Sequence, residues 1–303
     1  MQRLILVYNP RSSRYADVRE EVLSRVGELG GYLVGKYEVA PTNLDDNIMK
    51  LAKIIKDGDL VLSAGGDATG IIASNAILKS GKDATLAVLP YGNFNDLSRT
   101  LRTKKFEDVF NRENDTARNF YPLEIHIDGK FFRYATCYVT IGMTAEAVQL
   151  YDSPKMRAKL KSKFGRKVTS YTELSRWYFK NRQGHTFIPP FKLNDVQQHL
   201  KTTDYCAVNG RSMARVMKGG EDYHDPKFFR HETDRLASFF RLARLMARSI
   251  LSRIPGTTTE GDILTFDNPA TITLQAEGES TKFENITKVE IRKSKKCLKV
   301  IEN

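Results

Sequence analysis

Two short glycine-bearing segments carry the residue types that phosphate chemistry requires. The first, Gly65-Gly66-Asp67-Ala68-Thr69, follows the apolar run Leu60-Val61-Leu62-Ser63-Ala64 and precedes a helical pattern. Glycines at a strand-to-helix junction let backbone N–H groups approach an anion, and the helix N-terminus behind them favours negative charge. Asp67 could there hold a magnesium ion or orient a hydroxyl. The same residues also read as an ordinary turn with an N-capping aspartate. The second segment, Leu89-Pro90-Tyr91-Gly92-Asn93-Phe94-Asn95-Asp96-Leu97-Ser98-Arg99-Thr100, ends the next strand pattern. Alone, Asn95-Asp96 is most simply a helix cap. Two polar, glycine-bearing loops on successive strands lie together at the carboxyl edge of the sheet, where open α/β sheets bind ligands.

No other chemistry competes. The five histidines, at 126, 185, 199, 224 and 231, show no metal-binding spacing and read as structural or exposed. Cys137, Cys206 and Cys297 are far apart, form no CxxC pair and are odd in number, which favours reduced thiols and a cytoplasmic setting.

The elements that position these loops follow a regular rhythm. Leu4–Tyr8 is a strand ended by Asn9-Pro10, a helix follows over about 15–29, and Tyr32–Val39 is a second strand. Thr42 is expected to cap a helix whose apolar face is Ile48, Leu51, Ala52 and Ile55. Leu60–Ala64, Ile71–Leu78, Thr85–Leu89 and Phe94–Leu101 continue as strand, helix, strand, helix. The alternation predicts a doubly wound, mostly parallel α/β sheet covered on both faces. After about residue 118 the rhythm changes, and Leu123–Ile127, Asp128-Gly129 and Lys130–Ile141 read as a β-hairpin opening an antiparallel second domain. Ile272–Gln275 and Val289–Ile301 return to strand-like alternation.

With 303 residues, two domains are the starting expectation. The 48 Lys and Arg against 36 Asp and Glu leave a formal charge of +12, which favours an anionic partner. Nucleic acid is not expected, because that reading rests on charge alone with no base-reading motif. No run approaches the roughly 18 apolar residues of a membrane span, so membrane contact would be peripheral. Basic residues recur at 155, 157, 159, 161, 163, 166 and 167, and near an anionic membrane each contributes about 1 kcal/mol. Between about Leu236 and Ser252 a helical stretch aligns Arg241, Arg244 and Arg248 on one side.

The motifs resemble the diacylglycerol kinase catalytic family, which includes bacterial lipid kinases and sphingosine kinases and is distantly related to NAD kinases. Asn9-Pro10 is similar to the family's first-strand motif, Gly65–Thr69 to its GGDGT, and Pro90–Arg99 to its PxGTxNDxAR. The resemblance continues through Ile141-Gly142, Phe164-Gly165-Arg166-Lys167, Asn209, Gly219-Gly220 and Pro226 to Glu277-Gly278-Glu279, where the family has Asp-Gly-Glu. It implies an α/β ATP-binding domain over residues 1–118, a β-sandwich lipid-substrate domain over 119–286, and last strands, about 287–303, returning to the first domain. Carried onto matching positions, Asn9, Thr42, Gly65, Gly66, Asp67, Ala68, Thr69, Asn93, Asn95 and Asp96 would contact ATP. Asp67 and Asp96 would lie near its phosphates and Mg2+. Glu279 would be the general base, acting with Asp67, that takes the proton from a lipid hydroxyl. The family's structural magnesium site maps to His231, Asp234 and Leu236. The implied partners are a lipid substrate and an anionic membrane surface, with a homodimer left open.

Four departures set the rival readings. The third glycine of the family's GGDGT is Ala68 here, Ile72 stands where an acidic residue is common, Asn93 replaces a threonine, and Ser13 replaces a glycine. If Ala68 sat where positive φ is required, the loop would be strained by roughly 1–2 kcal/mol. The alternatives are therefore a catalytically silent nucleotide- or lipid-binding homologue and an NAD kinase-like enzyme.

Overall fold

The computed structural model describes residues 2–12, 14–29, 32–92, 95–110, 117–152, 172–173, 176–177, 188–197, 202–213, 217–218, 227–234 and 256–303. The basic segment 155–167 and the helical stretch 236–252 lie outside them.

The first half builds a six-stranded sheet. β1 (Gln2–Tyr8), β2 (Tyr32–Glu38), β3 (Leu60–Gly65) and β4 (Thr85–Pro90) are parallel in the order β2-β1-β3-β4. Strand alternation divides β1 between two cores. Ile5 and Val7 face one side with Val61, Leu86 and Val88, while Leu4 and Leu6 face the other with Leu60, Leu62 and Leu89. Helices α2 (Leu44–Ala52) and α3 (Asp67–Ser80) cover the first face, through Ile48, Leu51, Ile72 and Ile77. The second is covered by Val18, Val22 and Val26 together with Phe106 and Val109, the latter in the short helix α5 (Glu107–Phe110) that follows α4 (Asp96–Thr100).

Two local expectations are corrected. Residues 15–29 do not form one α-helix: an α-helical turn, α1 (Tyr15–Asp17), passes into a π-helical segment, Val18–Leu23, and then a 3₁₀ turn, Val26–Glu28. Apolar spacing fixed which residues face the core without fixing the helical pitch. The N-cap of α2 is Asn43, not Thr42. The Asn43 side chain accepts the Asp46 N–H at 2.7 Å, while the Thr42 hydroxyl accepts from the Asn47 amide at 3.1 Å.

The second sheet is antiparallel. β5 (Ala117–Phe120) still belongs to the first sheet, and β6 (Leu123–Ile127) and β7 (Lys130–Ala135) then form the hairpin, with Asp128 and Gly129 both at positive φ in the turn. β8 (Tyr138–Gly142) leads into α6 (Met143–Asp152). The remaining strands are β9 (Phe191–Leu193), β10 (Val196–Gln197), β11 (Thr202–Val208), the small pair β12 (Ser212–Met213) and β13 (Met217–Lys218), β14 (Phe228–Asp234) and β15 (Thr257–Thr259), followed by the long hairpin β16 (Gly261–Ala276) and β17 (Glu279–Lys293). They order as β15-β14-β11-β8-β16-β17-β6-β7, with β9 also paired to β16 and β10 paired to β9. β18 (Leu298–Ile301) returns to the first sheet, parallel to β4 and antiparallel to β5, whereas residues 287–293 stay in β17.

The two sheets share a core, since Tyr134, Cys137, Tyr138, Cys206 and Val208 pack into the cluster that holds Ile72 and Val88. Asn75 of α3 strengthens this junction. Its buried amide donates to Tyr134 O and accepts Tyr134 N–H, both at 3.0 Å, and so pairs with β7 as a neighbouring strand would.

Candidate active site at the carboxyl edge of the parallel sheet

Strand order reverses between β1 and β3, and the loops after β1, β3 and β4 meet at that switch point. Asp67 opens α3 directly after Gly66. Its two carboxylate oxygens reach the next loop: Oδ2 accepts the Asn95 N–H at 3.0 Å and Oδ1 the Asp96 N–H at 2.7 Å. One carboxylate therefore caps α4 and ties the two glycine loops together. The loops also touch directly. A Cβ on Gly92 would collide with the Gly66 Cα, and one on Gly65 with the Thr69 side chain, so both glycines are required by close approach.

Asn95 shapes the second loop from within. It adopts the left-handed conformation, φ 59°, which asparagine tolerates better than most residues. Its Oδ1 accepts Gly92 N–H at 2.7 Å and its amide donates to Gly92 O at 2.9 Å. The loop after β1 is fastened alongside. Asn9 Oδ1 accepts Arg11 N–H at 3.0 Å, Ser12 Oγ donates to Tyr91 O at 3.1 Å, and Arg14 donates to Pro90 O at 2.9 Å. Arg11 also donates to Ala40 O at 2.9 Å, which joins this loop to the one holding Thr42.

Electrostatics concentrate here. Burial, and then the neighbouring Asp96 carboxylate, push the Asp67 carboxyl up to about 6, against the lowering effect of its backbone donors. Asp96 itself is 1% exposed. A third acid arrives from the hairpin turn between β16 and β17. Glu277 is 3% exposed, and its Oε1 accepts from the Thr136 hydroxyl at 2.5 Å and from Cys137 N–H. Burial raises its carboxyl to about 8, with the Asp67 charge adding to the rise. The Cys137 thiol and the Tyr138 phenol are raised too, chiefly by burial and then by the charges of Asp96, Asp67 and Glu277. Three acids from three elements thus converge on residues 137 and 138.

Of the residues singled out in the sequence, Asn9, Gly65, Gly66, Asp67, Ala68, Thr69, Asn95 and Asp96 all lie at this edge, with Thr42 one loop away. Thr69 is 2% exposed, so its side chain turns inward while the first turn of α3 presents backbone. Ala68 lies inside α3 and has no positive φ, so the feared strain at that position does not arise. Glu279 is the half-buried first residue of β17, paired with Ala276 across the turn. Asn93 and Leu236 lie outside the described residues. For His231 and Asp234 only the backbone is described, within β14. Sequence reasoning passed over Glu277 in favour of Glu279. The available signal was a Glu-Gly pair between two alternating strands, which places the glutamate in a tight turn.

Hard oxygen donors at Asp67 and Asp96 suit Mg2+, which takes one or two carboxylates and completes its shell with water and phosphate oxygens. No group of three or more His, Cys, Asp or Glu side chains among the described residues is arranged to hold a metal by protein ligands alone. Nor, among those residues, is any helix long and apolar enough to cross a membrane.

Residues 3–118 match the profile of the diacylglycerol kinase catalytic domain. A diacylglycerol kinase of Bacillus subtilis (strain 168) is 29% identical over 171 residues, which cover 54% of this chain and 52% of that protein. The match thus spans about half the length of the curated relative. A crystal structure of a diacylglycerol kinase from Bacillus anthracis str. Sterne covers 100% of this chain and 97% of its own, with TM-score 0.63 and 12% identity. A further structure from that organism has the same coverage, TM-score 0.67 and 14% identity. At such identities the structures speak for the fold alone. Over residues 3–118, the chain is similar to the diacylglycerol kinase catalytic-domain family.

Proposed function

We propose that this chain is an ATP- and Mg2+-dependent lipid kinase that transfers the γ-phosphate to a lipid hydroxyl, with diacylglycerol the first acceptor to consider. The observation that carries the reading is the Asp67 carboxylate bridging two glycine loops at the switch point, inside the segment that matches the family. Phosphoryl transfer needs positioning and charge neutralisation more than covalent catalysis. Backbone N–H groups at Gly66–Ala68 and the N-terminus of α3 supply the phosphate cradle. Mg2+, held by Asp67 and Asp96 with water and phosphate oxygens, would neutralise phosphate charge. Glu279 serves as the base for the acceptor hydroxyl. The net charge of +12 draws the enzyme to an anionic membrane surface, where its substrate resides.

The test is transfer of labelled γ-phosphate from ATP with Mg2+ to a panel of lipids in mixed micelles, comparing wild type with Asp67→Ala and Glu279→Ala. A labelled lipid that disappears in both variants supports the reading and names the acceptor. ATP binding with no transfer to any lipid replaces it with a silent binding protein, and phosphorylation of NAD replaces it with an NAD kinase.

A further inference from the structure

Glu277 is a buried acid near Asp67 that the proposed chemistry leaves without a role. It occupies the first position of the two-residue turn between β16 and β17, at φ 52°, followed by Gly278 at φ 90°. The left-handed conformation costs a glutamate about 1 kcal/mol or more, and such turns favour Asn, Asp or Gly. The side chain offsets that cost with two hydrogen bonds, one from the Thr136 hydroxyl and one from the Cys137 N–H.

Those two residues connect β7 to β8 and are held on every side. Asn209 Nδ2 donates to Thr136 O at 2.7 Å, and Asn209 N–H and Gly210 N–H donate to Cys137 O at 2.7 and 2.8 Å. The Cys137 thiol lies 3.7 Å from the Thr100 hydroxyl, which also accepts Arg211 N–H at 3.1 Å. Thr100 ends α4, the helix that Asp96 begins and Asp67 caps. A continuous set of bonds therefore runs from the hairpin tip, through residues 136 and 137, to the helix carrying the acids.

We propose that Glu277 is a positioning residue: its carboxyl group pins the β16–β17 tip to residues 136 and 137 and so fixes how Glu279, two residues further on, is presented. This rests on the kinase reading for its consequence, though the pin itself is a structural claim. An aspartate at this place is one methylene shorter and cannot make both bonds unless the tip moves. Errors of about 1 Å in the placement of a reacting group cost roughly 100-fold in rate.

The experiment uses the full chain as wild type and as Glu277→Ala, Glu277→Asp and Glu277→Gln. Backbone hydrogen exchange is followed in peptides covering 133–140 and 274–281, with β1 as the control, alongside kcat and the KM for ATP on a short-chain diacylglycerol in micelles. Expected are faster exchange at Cys137 and at the tip in the Ala and Asp variants, unchanged protection of β1, and kcat down about 10- to 100-fold at constant KM. The Gln variant, whose amide oxygen still accepts both bonds, recovers most of both. Unchanged exchange in Glu277→Ala overturns the proposal. So does a loss of kcat accompanied by loss of protection throughout, or one that Gln fails to rescue. If wild type binds ATP but phosphorylates no lipid, the kinase reading fails, and the exchange measurement alone upholds or overturns the pin.

Discussion

The Asp67 carboxylate accepts the backbone N–H of Asp96 at 2.7 Å, so the acid that begins α3 also caps the helix that Asp96 begins. An aspartate at this point of the loop has two duties. It fixes the distance between the two glycine loops, and the neighbouring Asp96 charge, added to burial, raises its affinity for a proton.

Replacement of Asp67 by asparagine separates the two. The amide keeps one acceptor oxygen and loses the other, so one of the two backbone donors is left without it. Loss of a helix cap costs about 1 kcal/mol, and the urea midpoint of Asp67→Asn is expected to fall by that order. Lipid phosphorylation is expected to fall by at least about 100-fold, since a preorganised charge in a shielded site is removed. A variant that loses stability in this measure yet keeps full activity would leave Asp67 with a structural duty only.

Ala68 tests the silent-homologue reading from the opposite side. It lies in the first turn of α3 without positive φ, so a glycine there relieves no strain. Ala68→Gly is expected to lower stability by up to about 1 kcal/mol, the ordinary helical cost of glycine, read as a drop in denaturation midpoint. A rise in stability would show that the alanine methyl is strained after all.

The contrast between Ala68 and Glu277 marks how far the sequence could be read. Short apolar runs ended by Gly, Asn or Pro placed β1, β3 and β4, and their alternation with helical patterns placed the carboxyl edge where Asp67 and Asp96 lie. That logic is local, and it served wherever the next element paired with its neighbour. It gave the wrong N-cap for α2, because Thr42 and Asn43 are both capping types side by side and the hydrogen bond from Asp46 decides between them. It missed the bond from Cys137 to Glu277, which joins residues 140 apart in sequence. Nothing in the spacing of either residue announces such a partner.

The second sheet holds a fully buried carboxylate, Asp262, paired with the partly exposed Arg230, that should be costly to remove. Asp262 is 0% exposed, and its carboxylate accepts from Arg230 at 3.0 Å, Tyr205 at 2.9 Å and Asn194 at 2.9 Å, joining β14, β11 and the β9–β10 turn to β16. Removing that carboxylate strands the buried Tyr205 hydroxyl and its other donors, at about 1–3 kcal/mol per unsatisfied group. Asp262→Ala is expected to lose that much in chemical denaturation. Asp262→Asn, which can still accept from Tyr205 or Arg230, should lose less.

Stability should also fall as pH rises through neutrality. Burial raises Glu277 to about 8 and Asp204 to about 7, the latter against the lowering bonds from Thr144 that cap α6. Asp67 is raised to about 6 by burial and by Asp96. Each acid binds its proton more tightly in the folded chain than in the unfolded one, where carboxyls titrate near 4. Between about pH 4 and 8 the folded state therefore holds more protons, and the slope of stability against pH is negative. The stabilisation is complete below the unfolded values and is lost as each folded value is passed, with Asp67 leaving first and Glu277 last. Glu277→Gln removes the last of these titrations while keeping its hydrogen bonds, so its denaturation midpoint should stay flatter than that of wild type between about pH 6 and 8. Parallel curves for the two proteins over that interval would mean that Glu277 is already ionised in the folded chain, and that its burial is compensated by its two donors rather than by a proton.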